Sequence, residues 1–127
     1  MFGGRASYDV ARAAGIDRPY AHLREYVATR SEAVAPEGVT FTADALATVR
    51  ELKRQPGQDI YLCGGGDLAG ALLPEIDRLI LKRNPVVLGS GIRLFGTTGA
   101  TIQRFRLVGS RAFESGVVIE EYARAIR

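Results

Sequence analysis

An α/β domain built on a mixed sheet is the fold class this sequence predicts, and three observations predict it. Short runs rich in β-branched and aromatic residues alternate with stretches of helical period, the order that packs helices against largely parallel strands. One such run passes directly into Gly64, Gly65 and Gly66 and then into a helical stretch. The last two strand-like runs are separated only by a polar turn, the sign of an antiparallel hairpin, so both strand senses are expected. At 127 residues the chain suits a single domain over 1–127.

Each element has a local reason. Ser7 is placed to cap a short helix over 8–14, with Asp9 favoured in its first turn and Gly15 ending it. A loop containing Pro19 and His22 follows. Residues 25–29, with Tyr26 and Val27, read as a strand, and 39–41 as another beyond the turn signal at 36–38. Thr42 is placed to cap a helix over 43–54, in which Leu46, Val49 and Leu52 share one apolar face. Lys53 and Arg54 suit its carbonyl end, and Pro56 and Gly57 stop it. Residues 59–63 form the strand before the glycines, and 67–73 the helix after them. Residues 76–82 and 85–88 make a long apolar segment expected to be a central strand, leading to Gly89, Ser90 and Gly91. Residues 102–111 and 116–122 are the hairpin.

Composition narrows the function classes. With 46% hydrophobic and 24% charged residues the chain is ordinary globular protein. No apolar run nears the roughly 18 residues of a membrane helix, and no apolar core follows Arg5 as in a secretory leader, so a cytoplasmic location is expected. One cysteine and one histidine allow no intrachain disulfide and no zinc site of the usual spacing. Cys63 reads as a small core residue and His22 as a surface one. The net charge is +3, but the basic residues are scattered among 14 acids without a stripe, which argues against nucleic acid. A small anionic ligand fits better.

The glycine turn is the candidate for holding it. A backbone that leaves a strand and enters a helix through glycines can approach a ligand closely and offers unpaired amides under the positive end of the helix dipole. Gly64, Gly65 and Gly66, with the amides of Asp67 and Leu68, therefore form a possible pyrophosphate cradle. The Asp67 carboxylate would repel phosphate if it faced inward, so it is expected to cap the helix and turn away. A triple glycine is equally a plain turn, and its spacing does not match the dinucleotide fingerprint of Rossmann folds. Two further segments couple a cation to hydroxyls: Gly4, Arg5, Ala6 and Ser7, and Thr29, Arg30 and Ser31. A guanidinium suits a phosphate monoester and hydroxyls suit a pyrophosphate, although either triplet alone also reads as surface polarity.

Four ordered motifs carry a resemblance: Gly4-Arg5-Ala6-Ser7-Tyr8, Tyr26-Val27-Ala28-Thr29-Arg30-Ser31, Asp59-Ile60-Tyr61-Leu62-Cys63-Gly64-Gly65-Gly66, and Asn84-Pro85-Val86-Val87-Leu88-Gly89-Ser90-Gly91-Ile92-Arg93-Leu94-Phe95. Together they are similar to the dihydrofolate-reductase-like superfamily, and within it to the C-terminal reductase domains of bacterial riboflavin deaminase-reductases. The resemblance implies a three-layer α/β/α fold with a mixed sheet, incomplete at the N-terminus. Family members have a strand, a substrate-binding loop and helix, and a second strand before the Gly-Arg turn, whereas this chain begins just ahead of that turn. It also implies NADPH as cofactor, with Gly4, Arg5, Ser7, Thr29, Arg30 and Ser31 around the adenosine phosphates and Gly64, Gly65, Gly66, Asp67 and Leu68 along the pyrophosphate. Residues 85–95 resemble the strand and loop near the family's substrate pocket. Where the family often has Asp-Glu, this chain has Asp77-Arg78. The missing strands carry much of that pocket, so no catalytic residue is nominated.

The expected function is NADPH-dependent hydride transfer to a pterin-like or ribosylaminopyrimidine substrate, of the 5-amino-6-(5-phosphoribosylamino)uracil reductase type in riboflavin biosynthesis. The alternative is a non-catalytic oligomeric nucleotide-binding module or an inactive truncated remnant. A sheet lacking a central strand exposes backbone donors, acceptors and apolar side chains, so a homodimer or larger homo-oligomer is expected.

Overall fold

The computed structural model describes residues 1–125. They form two compact units, Met1–Leu73 with Ile92–Thr98, and Pro74–Gly91 with the chain from Gly99 onward.

The first unit is built on a four-stranded sheet. Its strands are β1 (Phe2–Gly4), β2 (Glu25–Ala28), β3 (Val39–Thr42) and β4 (Leu62–Cys63), in the order β3-β2-β1-β4. All neighbouring pairs are parallel. Period-two alternation sorts its side chains onto two faces. On one, Phe2, Tyr26, Ala28 and Leu62 pack with Val49 of α2 (Ala45–Arg54) and Leu72 of α3 (Gly66–Leu72). On the other, Val27 and Val39 pack with Tyr8 of α1 (Arg5–Ala13), and Phe41 meets the Tyr8 ring edge-on. Helices thus cover both faces, giving the expected three layers. Phe2 is fully buried and stacks on Tyr26, a burial worth roughly 1.5–3 kcal/mol.

The helix ends show which local rules prevailed. At the C-terminus of α1, the Gly15 N–H donates to the Arg12 carbonyl and the Ile16 N–H to the Ala11 carbonyl, with Gly15 at φ +78°. This is a Schellman closure, and it ends the helix where the glycine was expected to end it. The other end differs from expectation. Gly4 is the N-cap and makes no side-chain cap bond, so Ser7 lies inside the first turn rather than ahead of it. Likewise Asp44, not Thr42, caps α2 by accepting the Ala47 N–H at 2.9 Å. Thr42 is the last residue of β3, and its hydroxyl meets that of Thr48 at 2.8 Å. The apolar face of Leu46, Val49 and Leu52 is the one α2 buries.

The second unit is a three-stranded antiparallel sheet, β5 (Arg78–Arg83), β6 (Phe105–Ala112) and β7 (Val118–Arg124), in the order β5-β7-β6. β6 and β7 form the expected hairpin, with a register shift between Leu107 and Gly109 and Gly116 at φ +84° in the turn. Strands of both senses are therefore present, divided between two sheets. The long central strand expected over 76–88 is not formed. β5 ends at Arg83 and lies at a sheet edge, and Val86, Val87 and Leu88 are 65%, 97% and 80% exposed. Pro85 lacks the N–H that would extend a ladder, so an apolar run there does not become a strand.

Candidate functional site

Because the four strands of the first unit run the same way, all their carboxyl ends lie along one edge. Gly4 is in register with Ala28, Ala28 with Thr42, and Gly3 with Cys63. The segments that follow these strands, opening with Arg5, Thr29 and Gly64, are the ones predicted to hold a ligand. β1 lies between β2 and β4. The chain runs from β1 through α1 toward β2 and β3, then returns through α2 to β4 on the other side of β1. Ligands of open α/β sheets bind at such a switch point, outside the carboxyl ends of the strands.

The two segments about sixty positions apart in sequence meet directly here. The Gly4 N–H donates to the Gly64 carbonyl at 3.1 Å. A Cβ placed on Gly4 would lie 3.7 Å from the Gly65 nitrogen, and one on Gly64 would lie 3.7 Å from the Ser7 hydroxyl oxygen. Gly64 has φ +61°, a conformation glycine adopts without steric cost, and the peptide between Gly64 and Gly65 is cis. Within α3 the Ala69 N–H donates to the Gly65 carbonyl at 2.9 Å. The amides of Gly66, Asp67 and Leu68 therefore precede the first intrahelical bond.

Arg5 opens α1 at this junction. Its Nε donates to Asp9 Oδ1 at 2.8 Å, and its guanidinium carbon lies over the Phe41 ring, 5.1 Å from the centroid. Its Nη1 is buried and has no hydrogen-bond partner among the described residues. A buried charged donor without an acceptor is costly, and an anionic oxygen would relieve that cost. This is the observation on which a phosphate-bearing cofactor fits the site. The Asp9 and Phe41 contacts were not foreseen, although the i,i+4 spacing of Arg5 and Asp9 was a signal for the first.

Thr29 follows β2 on the same edge, and its N–H donates to the Thr42 carbonyl at 2.9 Å. The Thr29 hydroxyl accepts the Ser31 N–H and the Ser31 hydroxyl accepts the Ala33 N–H, each at 3.1 Å. Both hydroxyls keep their own hydrogen for donation. Arg30 is exposed between them.

Asp67 departs from expectation. It does not cap α3, whose N-cap is Gly65 without a side-chain bond. Its Oδ1 accepts instead from the Thr97 N–H at 3.0 Å and the Thr97 hydroxyl at 3.2 Å. Cys63 is half-buried and its sulfur meets the Tyr20 hydroxyl at 3.5 Å, a hydrogen bond that pushes the Tyr20 pKa up. His22 is exposed. Among the described residues no group of three or more His, Cys, Asp or Glu is placed to hold a metal ion, and no helix is long and apolar enough to cross a membrane.

Comparison with known proteins bears on this arrangement. The family model described as RibD C-terminal domain matches residues 13–119. The chain is 36% identical to the uncharacterized protein YwjB of Bacillus subtilis (strain 168), over 96% of this chain and 71% of that protein. It is 37% identical to YyaP of the same organism over 75% of this chain, and that match spans about half, 52%, of YyaP. Among solved structures, it superposes on a Shewanella sp. PV-4 protein assigned to riboflavin biosynthesis with a TM-score of 0.75 and 23% identity, covering 98% of this chain and 73% of that one. A pyrimidine reductase-like protein of Corynebacterium diphtheriae NCTC gives a TM-score of 0.61 and 15% identity, over 99% and 75%. At those identities the two structures establish a shared fold.

Proposed function

Since the chain belongs to the RibD C-terminal domain family, we propose that it is a riboflavin-pathway type of reductase that holds NADPH along the carboxyl edge of its parallel sheet. Two observations support this reading: the Gly4 to Gly64 hydrogen bond, which joins the glycine turn to the start of α1, and the Arg5 guanidinium over Phe41, whose Nη1 is buried without a hydrogen-bond partner among the described residues. The turn offers backbone amides to a pyrophosphate, and Arg5, at the start of the helix that follows β1, offers a cation to a phosphate monoester.

In this reading the amides of Gly64, Gly65, Gly66, Asp67 and Leu68 receive the pyrophosphate, under the positive end of the α3 dipole. Arg5, with Gly4 and Ser7 beside it and Thr29, Arg30 and Ser31 along the same edge, receives the adenosine phosphates. Asp9 holds the Arg5 Nε and the Phe41 ring lies under the guanidinium carbon, so little side-chain freedom is lost on binding. The bound cofactor supplies a hydride to a pterin-like or ribosylaminopyrimidine substrate, while the chain contributes orientation. The same reading places the protein in the cytoplasm as a homodimer or larger assembly. Exposed apolar side chains favour the assembly: Ile80 and Leu107 of the three-stranded sheet are 65% and 52% exposed, and Val87 is 97% exposed.

The test is a fluorescence titration with NADPH and NADH. Arg5→Ala is expected to weaken NADPH by about tenfold or more, the size of a lost charge-assisted hydrogen bond, and NADH by less. Equal losses for the two nucleotides, or none, would remove the phosphate assignment. Turnover is read separately, by loss of reduced-nicotinamide absorbance with pterin and ribosylaminopyrimidine substrates. Binding without turnover would identify a nucleotide-binding module instead of an enzyme.

A further inference from the structure

We propose that Asp67 is a positioning residue for the glycine turn, acting through a clasp on the strap Ile92–Thr98. The strap belongs to the first compact unit, although the residues on either side of it in sequence belong to the second. Three glycines seat it on α3. A Cβ on Gly66 would collide with the Arg93 carbonyl and come within 3.0 Å of the Gly96 nitrogen. One on Gly70 would run into the Thr98 hydroxyl and lie 2.6 Å from the Phe95 carbonyl oxygen. One on Gly96 would strike the Asp67 carboxylate and lie 2.7 Å from the Asp67 nitrogen. Strap backbone thus lies on the first two turns of α3 at a separation no β-carbon permits.

Asp67 closes the contact. Both hydrogen bonds from Thr97 go to its Oδ1, at 3.0 Å from the amide and 3.2 Å from the hydroxyl. The carboxylate is thereby turned toward the strap and its charge partly satisfied there. Its own backbone stays in the turn that begins at Gly64. One residue therefore does two things: it keeps a negative charge off the approach to the amides of Gly65 and Gly66, and it ties the path of those amides to the strap. α3 is only seven residues long, so few of its own hydrogen bonds hold that path. The consequence for nucleotide affinity rests on the dinucleotide reading above; the clasp itself does not.

The experiment compares Asp67→Ala, Asp67→Asn and Thr97→Val in two measurements on the whole chain, amide hydrogen exchange without ligand and titration with NADPH. Asp67→Ala is expected to speed exchange over 65–69 and 93–98 by about tenfold and to weaken NADPH by about as much. Exchange in the core strands β1 and β2 should stay unchanged. Asparagine keeps an acceptor at Oδ1 and should restore both quantities to within about threefold of the parent. Thr97→Val, which loses the hydroxyl but keeps the amide, should fall between. Unchanged exchange in Asp67→Ala would overturn the clasp. So would tighter NADPH binding by the alanine and asparagine variants alike, because that is the signature of a carboxylate that merely repels phosphate. If the parent protein takes up no NADPH while the exchange contrast holds, the functional reading falls and the clasp stands.

Discussion

Arg5 and Arg18 are both arginines at partly buried positions, yet the structure uses them in opposite ways. Arg18 is engaged at two of its nitrogens: its Nε faces Glu25 Oε1 at 3.3 Å, and its Nη2 donates to the carbonyls of Ala21 and Leu23 at 3.3 and 3.4 Å. Glu25 is 1% exposed, so Arg18→Ala leaves a buried carboxylate without its cation and is expected to lower stability by roughly 3 kcal/mol in urea denaturation. Arg5 keeps one buried donor unpartnered, and Arg5→Ala should leave stability nearly unchanged while affecting nucleotide affinity. A second substitution probes the strap. Gly70→Ala sets a methyl against Thr98 and the Phe95 carbonyl, and should destabilise by about 1–3 kcal/mol, the usual cost of overpacking. At this scale the passage from strand through glycines into helix was legible from sequence, because residue type alone announces a backbone free of side chains. The Asp67 to Thr97 pair was not, because its partners are thirty positions apart and neither residue type names the other.

Elements were legible where a local rule acted alone. The α2 face of Leu46, Val49 and Leu52 follows from helical period, and the α1 stop from Gly15. Boundaries moved where two local rules competed. Thr42 and Asp44 can each cap α2, and the β3 ladder claims Thr42, leaving Asp44 to accept the Ala47 N–H. Asp44→Ala should accordingly cost about 1 kcal/mol in thermal or urea unfolding, whereas Thr42→Ser should cost little. The expected strand before the glycines contracts to the two residues of β4, and β1 was not foreseen because three residues are too few to show a period. Residues 85–88 show the converse error. Their apolar character is real, but Pro85 and the turn at Gly89 with φ +73° deny them a ladder, and they stay exposed.

At the scale of the whole molecule, family membership and the α/β class followed from the order of motifs. The division of strands into a parallel and an antiparallel sheet did not, since pairing partners are set by contacts far apart along the chain. The exposed apolar residues of the second unit lead to a prediction about assembly. Size-exclusion chromatography with light scattering should give at least twice the 13.7 kDa chain mass, and a stable compact monomer would contradict it. The central claim is that one nucleotide is held where the carboxyl ends of β1, β2 and β4 meet. Amide chemical-shift mapping with NADPH tests it most directly. The account predicts that the largest shifts fall on Gly4, Ser7, Thr29 and Gly64 through Leu68. Shifts concentrated instead around Arg18 and Glu25 at the amino ends of the strands, or no saturable shifts at all, would contradict it.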